Sequence, residues 1–226
     1  MADEATRRSG MSRAEQKAAT RARLVAAAGE LFAERDYGDV TIADLAAHAG
    51  VAHGLLFHHF SNKEGLYRAV LDAVVTEMDS AFTAPADGDA PAIIRAALTT
   101  HLSYLATHRG VALKLIVGRR HADPTAAEVS DRSRGRALSA LAALVDVDAD
   151  NPVIQFVGAT LVAAFDEATH FWLHTSDPFP VDALVTSLLE LAVGALQGAR
   201  SLDGCPDVDD AIATLRVAAH GSRSDA

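Results

Sequence analysis

Residues 41–60, TIADLAAHAGVAHGLLFHHF, hold two short helical patterns on either side of one glycine. Thr41 is placed to cap the first pattern, and Asp44, three residues on, reaches back or favours the positive end of the helix dipole. Ile42, Leu45, Ala46 and Ala49 share one face at spacings of three and four. Gly50 then supplies the left-handed backbone that a tight interhelical turn demands. The second pattern, Ala52 to His59, is about two turns long, with Leu56 facing inward and Phe60 packing just beyond its end. Two short helices about such a turn form the arrangement in which one helix crosses a nucleic-acid backbone and the next offers its leading end to base edges in the major groove. Many helical hairpins turn on a glycine and touch no DNA, so the neighbourhood decides.

Upstream, Leu24, Ala27, Ala28, Leu31 and Phe32 fall on one face and predict a helix over about 20–34, ending near Asp36-Tyr37-Gly38. Downstream, Ser61 with Glu64 predicts a second capping box and a helix from Lys63 to about Phe82. The stretch TAPADGDAP at 83–91 is rich in Pro, Gly and Asp and marks a domain boundary. Further helices are expected at about 92–108, 111–121, 124–145, 152–173 and 181–198, several with proline at or near the start, and a weaker one at 208–219. Alanine supplies about a fifth of the chain, and hairpin-bounded alternation is missing. The expected fold is all-α: a basic flexible arm over 1–19, a three-helix helix-turn-helix domain over 20–82 with its recognition helix at about 52–59, and a larger helical ligand-binding and dimerisation domain over 91–220.

The chain has 226 residues and a formal net charge of −10, which taken alone argues against a polyanionic partner. The distribution argues otherwise. Between Arg7 and Arg23 six bases face the single acid Glu15, so positive charge gathers at the amino end of an acidic body. The single cysteine, Cys205, allows no intrachain disulfide and fits a reducing cytoplasm. Residues 1–16 lack the apolar segment of a secretory signal. The longest apolar run, Val153 to Phe165, stops at Asp166 and Glu167, short of a membrane span.

From Leu24 to Leu71 the chain resembles the amino-terminal domain of the TetR family of transcriptional regulators. Ala27-Ala28 with Leu31-Phe32 is similar to the family's first helix, Tyr37-Gly38 to its exit, and Thr41, Ile42, Leu45 and Ala46 to its second helix. Ala49-Gly50-Val51 matches its turn, and Gly54, Leu56, His59, Phe60, Lys63, Glu64 and Leu66 continue its recognition helix and fourth helix. Where the family commonly carries hydroxyl residues, this chain has Ala52, Leu55 and Phe57, so three polar contacts are missing.

The candidate DNA contacts are Arg21, Thr41, Ala52, His53, Gly54, Phe57, His58, His59 and Lys63. Thr41 is either a cap alone or a cap that also meets a phosphate. Lys63, beside exposed helix amides, is read as a phosphate ligand, and His53 as the contact to a base edge. The resemblance aligns His59 with a phosphate-contacting position, and its protonation adds charge attraction. Arg21 belongs to the basic segment, whose contacts add affinity irrespective of sequence.

The resemblance also implies that the carboxyl domain dimerises and holds an effector. Gly158, Ala159, Ala163, Gly194, Ala195 and Gly198 permit close helix approach, either between subunits or inside one. His101, Tyr104 and His108 on one helix, with Phe165, Asp166, Thr169, His170 and Trp172 on another, mix aromatic, aliphatic and sparse polar groups as small-molecule sites do, and as an ordinary core with a wet edge also does. The effector expected is apolar or amphipathic. No cofactor is implied. His170 and His174, four apart, lack the glutamate of an HExxH motif, so no metal is expected. No G-x-S-x-G elbow or glycine-rich phosphate loop is present, so no enzyme is expected. The function expected is a homodimeric repressor released from a near-palindromic DNA operator by a small molecule. The alternative is a helical ligand- or partner-binding protein of this fold with little DNA affinity.

Overall fold

The structure, a computed structural model, describes residues 12–82, 88–110, 124–175 and 178–220. The fold is all-α: among the described residues there are nine α-helices and no strand. They are α1 (Arg13–Glu34), α2 (Ile42–His48), α3 (His53–Phe60), α4 (Lys63–Phe82), α5 (Ala90–Thr107), α6 (Pro124–Leu144), α7 (Pro152–His174), α8 (Val181–Ala199) and α9 (Asp209–His220). The helix expected at 111–121 lies outside the described residues. The chain divides into two compact units, Met1–Val74 and Val75–Ala226. That division falls inside α4 rather than in the Pro/Gly-rich segment 83–91, because a continuous helix can carry the core residues of one unit and then those of the next.

In the first unit, α1 begins seven residues earlier than the periodicity suggested. Arg13 to Ala19 are helical, which corrects the expectation of a flexible arm over that stretch. The cause is a capping box: the Ser12 hydroxyl accepts from the Glu15 amide at 3.2 Å, and the Glu15 carboxylate accepts from the Ser12 amide. Those two hydrogen bonds, backbone first, hold the Glu15 carboxyl below its ordinary pKa. Leu24, Ala28, Leu31 and Phe32 of α1 are buried with Val40, Leu45, Ala46, Leu56, Phe60, Leu66, Tyr67, Val70 and Leu71. Phe32 meets Tyr67 at a steep angle, ring centroids 5.0 Å apart, and Tyr37 lies 4.7 Å from Tyr67. Gly50 has φ +64° with open space around it, so the left-handed backbone, not crowding, demands glycine there.

The turn into α4 differs from expectation. Ser61 takes φ +60°, and it is the Asn62 side-chain oxygen that caps α4, accepting from the Gly65 amide at 2.7 Å. A Cβ on Gly65 would stand 2.5 Å from the Phe60 carbonyl oxygen. Glycine is therefore what lets α4 start so close behind α3.

In the second unit, α8 supplies eight buried residues from Leu184 to Ala199, packed in one core with Leu102 and Leu105 of α5, Val157, Trp172 and Leu173 of α7, and Ile212 and Leu215 of α9. α8 is long and apolar enough, by length and composition, to cross a bilayer; eight of its residues lie in this core. Asp89 and Asn151 cap α5 and α7 through their side-chain oxygens. Arg95 ties three helices together: its guanidinium donates to the carbonyls of Ala218 (3.0 Å) and Ala219 (2.9 Å) at the end of α9, to the Thr186 hydroxyl, and to Asp182 at the start of α8.

Candidate nucleic-acid interface

The Thr41 hydroxyl accepts from the Asp44 amide at 3.1 Å, and the Asp44 carboxylate accepts from the Thr41 amide at 2.9 Å and from the hydroxyl at 2.7 Å. The hydroxyl and then the amide of Thr41 lower the Asp44 pKa, with Arg35 adding a smaller pull. Thr41 is thus a fully engaged cap that remains exposed at its surface.

α3 buries Leu56 and Phe60, while Ala52, His53, Gly54, Phe57 and His58 are exposed. Ala52 is the N-cap and offers no side-chain hydrogen bond. His53 and Phe57, one turn apart, meet edge to face with centroids 5.5 Å apart and planes at 89°. A Cβ on Gly54 would meet nothing within 4 Å, and its φ is one that any residue adopts. Neither space nor conformation within the unit requires glycine there.

At the other end of α3, His59 is half-buried, and its Nδ1 is buried without a hydrogen-bond partner. Burial lowers its pKa, and the charges of His58, Lys17 and Arg21 lower it further. The Arg21 guanidinium lies 5.1 Å from the Phe60 ring centroid. Lys17 and Arg21, four apart on α1, therefore flank the trailing end of α3 and make a local positive field. Lys17 was not among the expected contacts, although its i,i+4 spacing to Arg21 on a capped helix was legible.

Lys63, expected to meet a phosphate, is held within its own unit. Its ammonium donates to the carbonyls of Tyr37 (2.7 Å) and Val40 (2.9 Å) and lies 4.1 Å from the Tyr37 ring centroid. Two of its three protons are spent on the turn that leads into α2, where Val40 is buried. An ammonium so held is chiefly an internal strut.

The eight expected effector residues lie on α5 or just past its end, and on α7. Tyr104 donates to the Glu77 carboxylate at 2.9 Å, and burial, followed by that bond, raises its pKa. The His108 ring stacks on Tyr104 at 4.0 Å. His101 and Phe165 are half-buried, and Thr169 is buried. Asp166 accepts from Arg134 at 2.8 and 2.9 Å, and the His170 ring stacks on that of His174 at 5.7 Å. Trp172 is buried, with its indole nitrogen donating to the Phe179 carbonyl at 2.8 Å. A groove of about 710 Å³ runs along α7 and α8, lined by Ala164, Glu167, Phe171, Phe179, Leu184 and Leu191 among others. A smaller cavity of about 480 Å³ lies against Trp172 and Phe179. Trp172 is the one member of the expected set that lines either.

A small all-α unit that buries one side of a two-turn helix behind a glycine turn and leaves the other side outward is a helix-turn-helix module. Residues 24–70 match the family described as bacterial regulatory proteins, tetR family. An HTH-type transcriptional repressor of Mycobacterium tuberculosis is 38% identical over 127 residues, 56% of this chain and 65% of that protein. The match thus spans just under two thirds of that relative's length. The transcriptional activator FasR of Mycolicibacterium smegmatis is 26% identical over 183 residues, 78% of this chain and 82% of its own. Among solved structures, a tetR-family regulator from Streptomyces coelicolor superposes with TM-score 0.69 at 20% identity, over 89% of this chain and 92% of that one. That likeness establishes the fold.

Proposed function

We propose that the chain is a cytoplasmic DNA-binding transcriptional repressor that acts as a homodimer on a near-palindromic operator and is released by a small apolar or amphipathic effector. The observation that carries this reading is the orientation of α3: Leu56 and Phe60 anchor it from behind, while its leading turn is bare and Lys17 and Arg21 stand beside its trailing end. Lys17 and Arg21 beside the reading helix let an acidic body bind a polyanion, since affinity follows the phosphates neutralised locally. The repressor sense follows the Mycobacterium tuberculosis relative.

Dimerisation is supported by the surface of α7 and α8. Ala159 and Ala163 on α7, and Ser187, Leu191, Gly194 and Gly198 on α8, are exposed, with Phe156 and Phe171 exposed on α7. α8 is apolar on most sides, yet only 39% of it is buried within the subunit, and such a helix calls for further cover. Gly158 and Ala195 are excepted from the contact set expected from sequence: a Cβ on Gly158 would lie 3.4 Å from Leu138, and Ala195 packs against the core of its own subunit. A single two-turn helix buries too little surface for tight binding, whereas two read one site twice.

An apolar effector is supported by a fold relative, FadR from Bacillus subtilis, whose structure contains stearoyl-CoA (TM-score 0.61, 20% identity). Release requires that the effector bind the form with the wrong head spacing better than the operator-bound form; otherwise it shifts nothing. The test is selection of duplexes from a random pool by the full chain, followed by titration across salt. Affinity should fall steeply with salt, by about 0.9 log units per log unit for each phosphate neutralised. Failure to enrich any duplex, or a flat salt profile, refutes the reading.

A further inference from the structure

We infer that Phe57 is a specificity determinant that recognises thymine, its ring packing against the 5-methyl group of a thymine in the major groove. The inference rests on the DNA-binding reading and deepens it. Phe57 is 48% exposed, while Leu56 and Phe60 on the same helix are 3% and 7% exposed. Its ring therefore takes little part in the core. His53 meets the ring edge to face, with centroids 5.5 Å apart and planes at 89°. A large apolar group is thus presented outward in a defined orientation.

The company it keeps restricts what it can recognise. The leading face of α3 consists of Ala52, His53, Gly54 and Phe57, with Leu55 partly exposed. His53 is the one side chain there that can hydrogen-bond to a base edge. The major-groove edge of a G·C pair displays only hydrogen-bond donors and acceptors, and covering them with a phenyl ring would desolvate them without partners. Thymine alone among the four bases offers an apolar group in that groove, its C5 methyl. Charge complementarity favours a polyanion: α3 carries no acid from His53 to Phe60, and Lys17 and Arg21 flank its trailing end. A nucleic-acid duplex satisfies both the charge and the apolar group. The missing hydroxyls at Ala52, Leu55 and Phe57 then mark a shift from hydrogen-bonded to methyl-based readout.

The test takes a duplex selected by the full chain and replaces its thymines one at a time with deoxyuridine, which removes the methyl and keeps the base pairing. At one or two positions in each half-site the replacement should weaken binding about fourfold, the equivalent of one buried methylene. Phe57→Tyr should keep that sensitivity. Phe57→Ala should bind more weakly and be indifferent to uracil at the same positions, with an unchanged melting transition because the anchors Leu56 and Phe60 are untouched. The inference is overturned if every uracil duplex binds the unaltered chain as the thymine duplex does, or if Phe57→Ala keeps full sensitivity. Failure of the unaltered chain to select any duplex overturns the DNA-binding reading and this inference with it, and is told apart because it appears at the first step.

Discussion

Replacing Lys63 with methionine separates an internal strut from a phosphate ligand. The substitution keeps the aliphatic stem and deletes the ammonium that donates to the Tyr37 and Val40 carbonyls at 2.7 and 2.9 Å. Hydrogen bonds from a charged donor contribute about 1.5–3 kcal/mol each, and a cation over an exposed aromatic ring about 0.5–1 kcal/mol. Lys63 and Tyr37 are only partly buried, so water replaces part of what is lost. The net loss should be about 2 kcal/mol, or roughly a thirtyfold fall in the folded-to-unfolded ratio. With a urea slope of about 2 kcal/mol per molar, the midpoint of the first unit moves down by about 1 M. Urea titration followed by circular dichroism reads this, with Lys63→Arg as a partly rescuing control. In parallel, the salt slope of DNA binding is measured at a temperature where the variant is folded. An unchanged midpoint together with a slope shallower by about one unit would refute the strut and restore the phosphate role.

Gly54→Ala should stabilise the first unit by about 0.5–1 kcal/mol, since alanine is the better helix former and no atom crowds the site. The same change should weaken duplex binding if the backbone there approaches DNA closely, and equal affinity would show that it does not. Arg95→Met should destabilise the second unit by about 2–4 kcal/mol, because it strips the Ala218 and Ala219 carbonyls and Thr186 of one shared donor; a thermal melt unchanged from the parent would contradict the clamp. His59 gives a pH signature. Its folded pKa lies below the ordinary 6.5, burial being the chief cause, so between those two values the unfolded chain binds more protons and the first unit loses stability as pH falls. A phosphate beside His59 would raise that pKa again, so duplex affinity should rise over the same window, and His59→Gln should flatten both profiles. An affinity independent of pH from 7 down to about 5.5 would remove His59 from the phosphate contacts.

Most of the described helices, the glycine turn and the outward helix α3 were legible in the sequence, because periodicity, caps and left-handed positions are written within a few residues of one another. Thr41 and Asp44, or Leu56 and Phe60, announce their roles at spacings of three and four. The Ser12–Glu15 box was equally local, yet the density of arginine around it pointed to an unstructured arm, although helix formation and surface charge are compatible. Ser61 looked like a cap by type, but the positive φ it adopts passes that task to Asn62.

Roles that depend on partners far away in the chain were not legible. Lys63 meets carbonyls 23 and 26 residues upstream, and Arg95 reaches across 123 and 124 residues to the end of α9. Asp166 and Tyr104 look from sequence like polar groups available to a ligand, and in the fold they pair with Arg134 and Glu77. A side chain's type states what it can bond to, and its spacing states which face it occupies. Which donor actually stands within about 3 Å is decided by how the helices cross, and that follows from the packing of the whole core. The amino-acid order therefore determined that this chain is a helical protein with an outward helix-turn-helix, and tertiary packing alone decided which of its charged groups are held by partners within the fold.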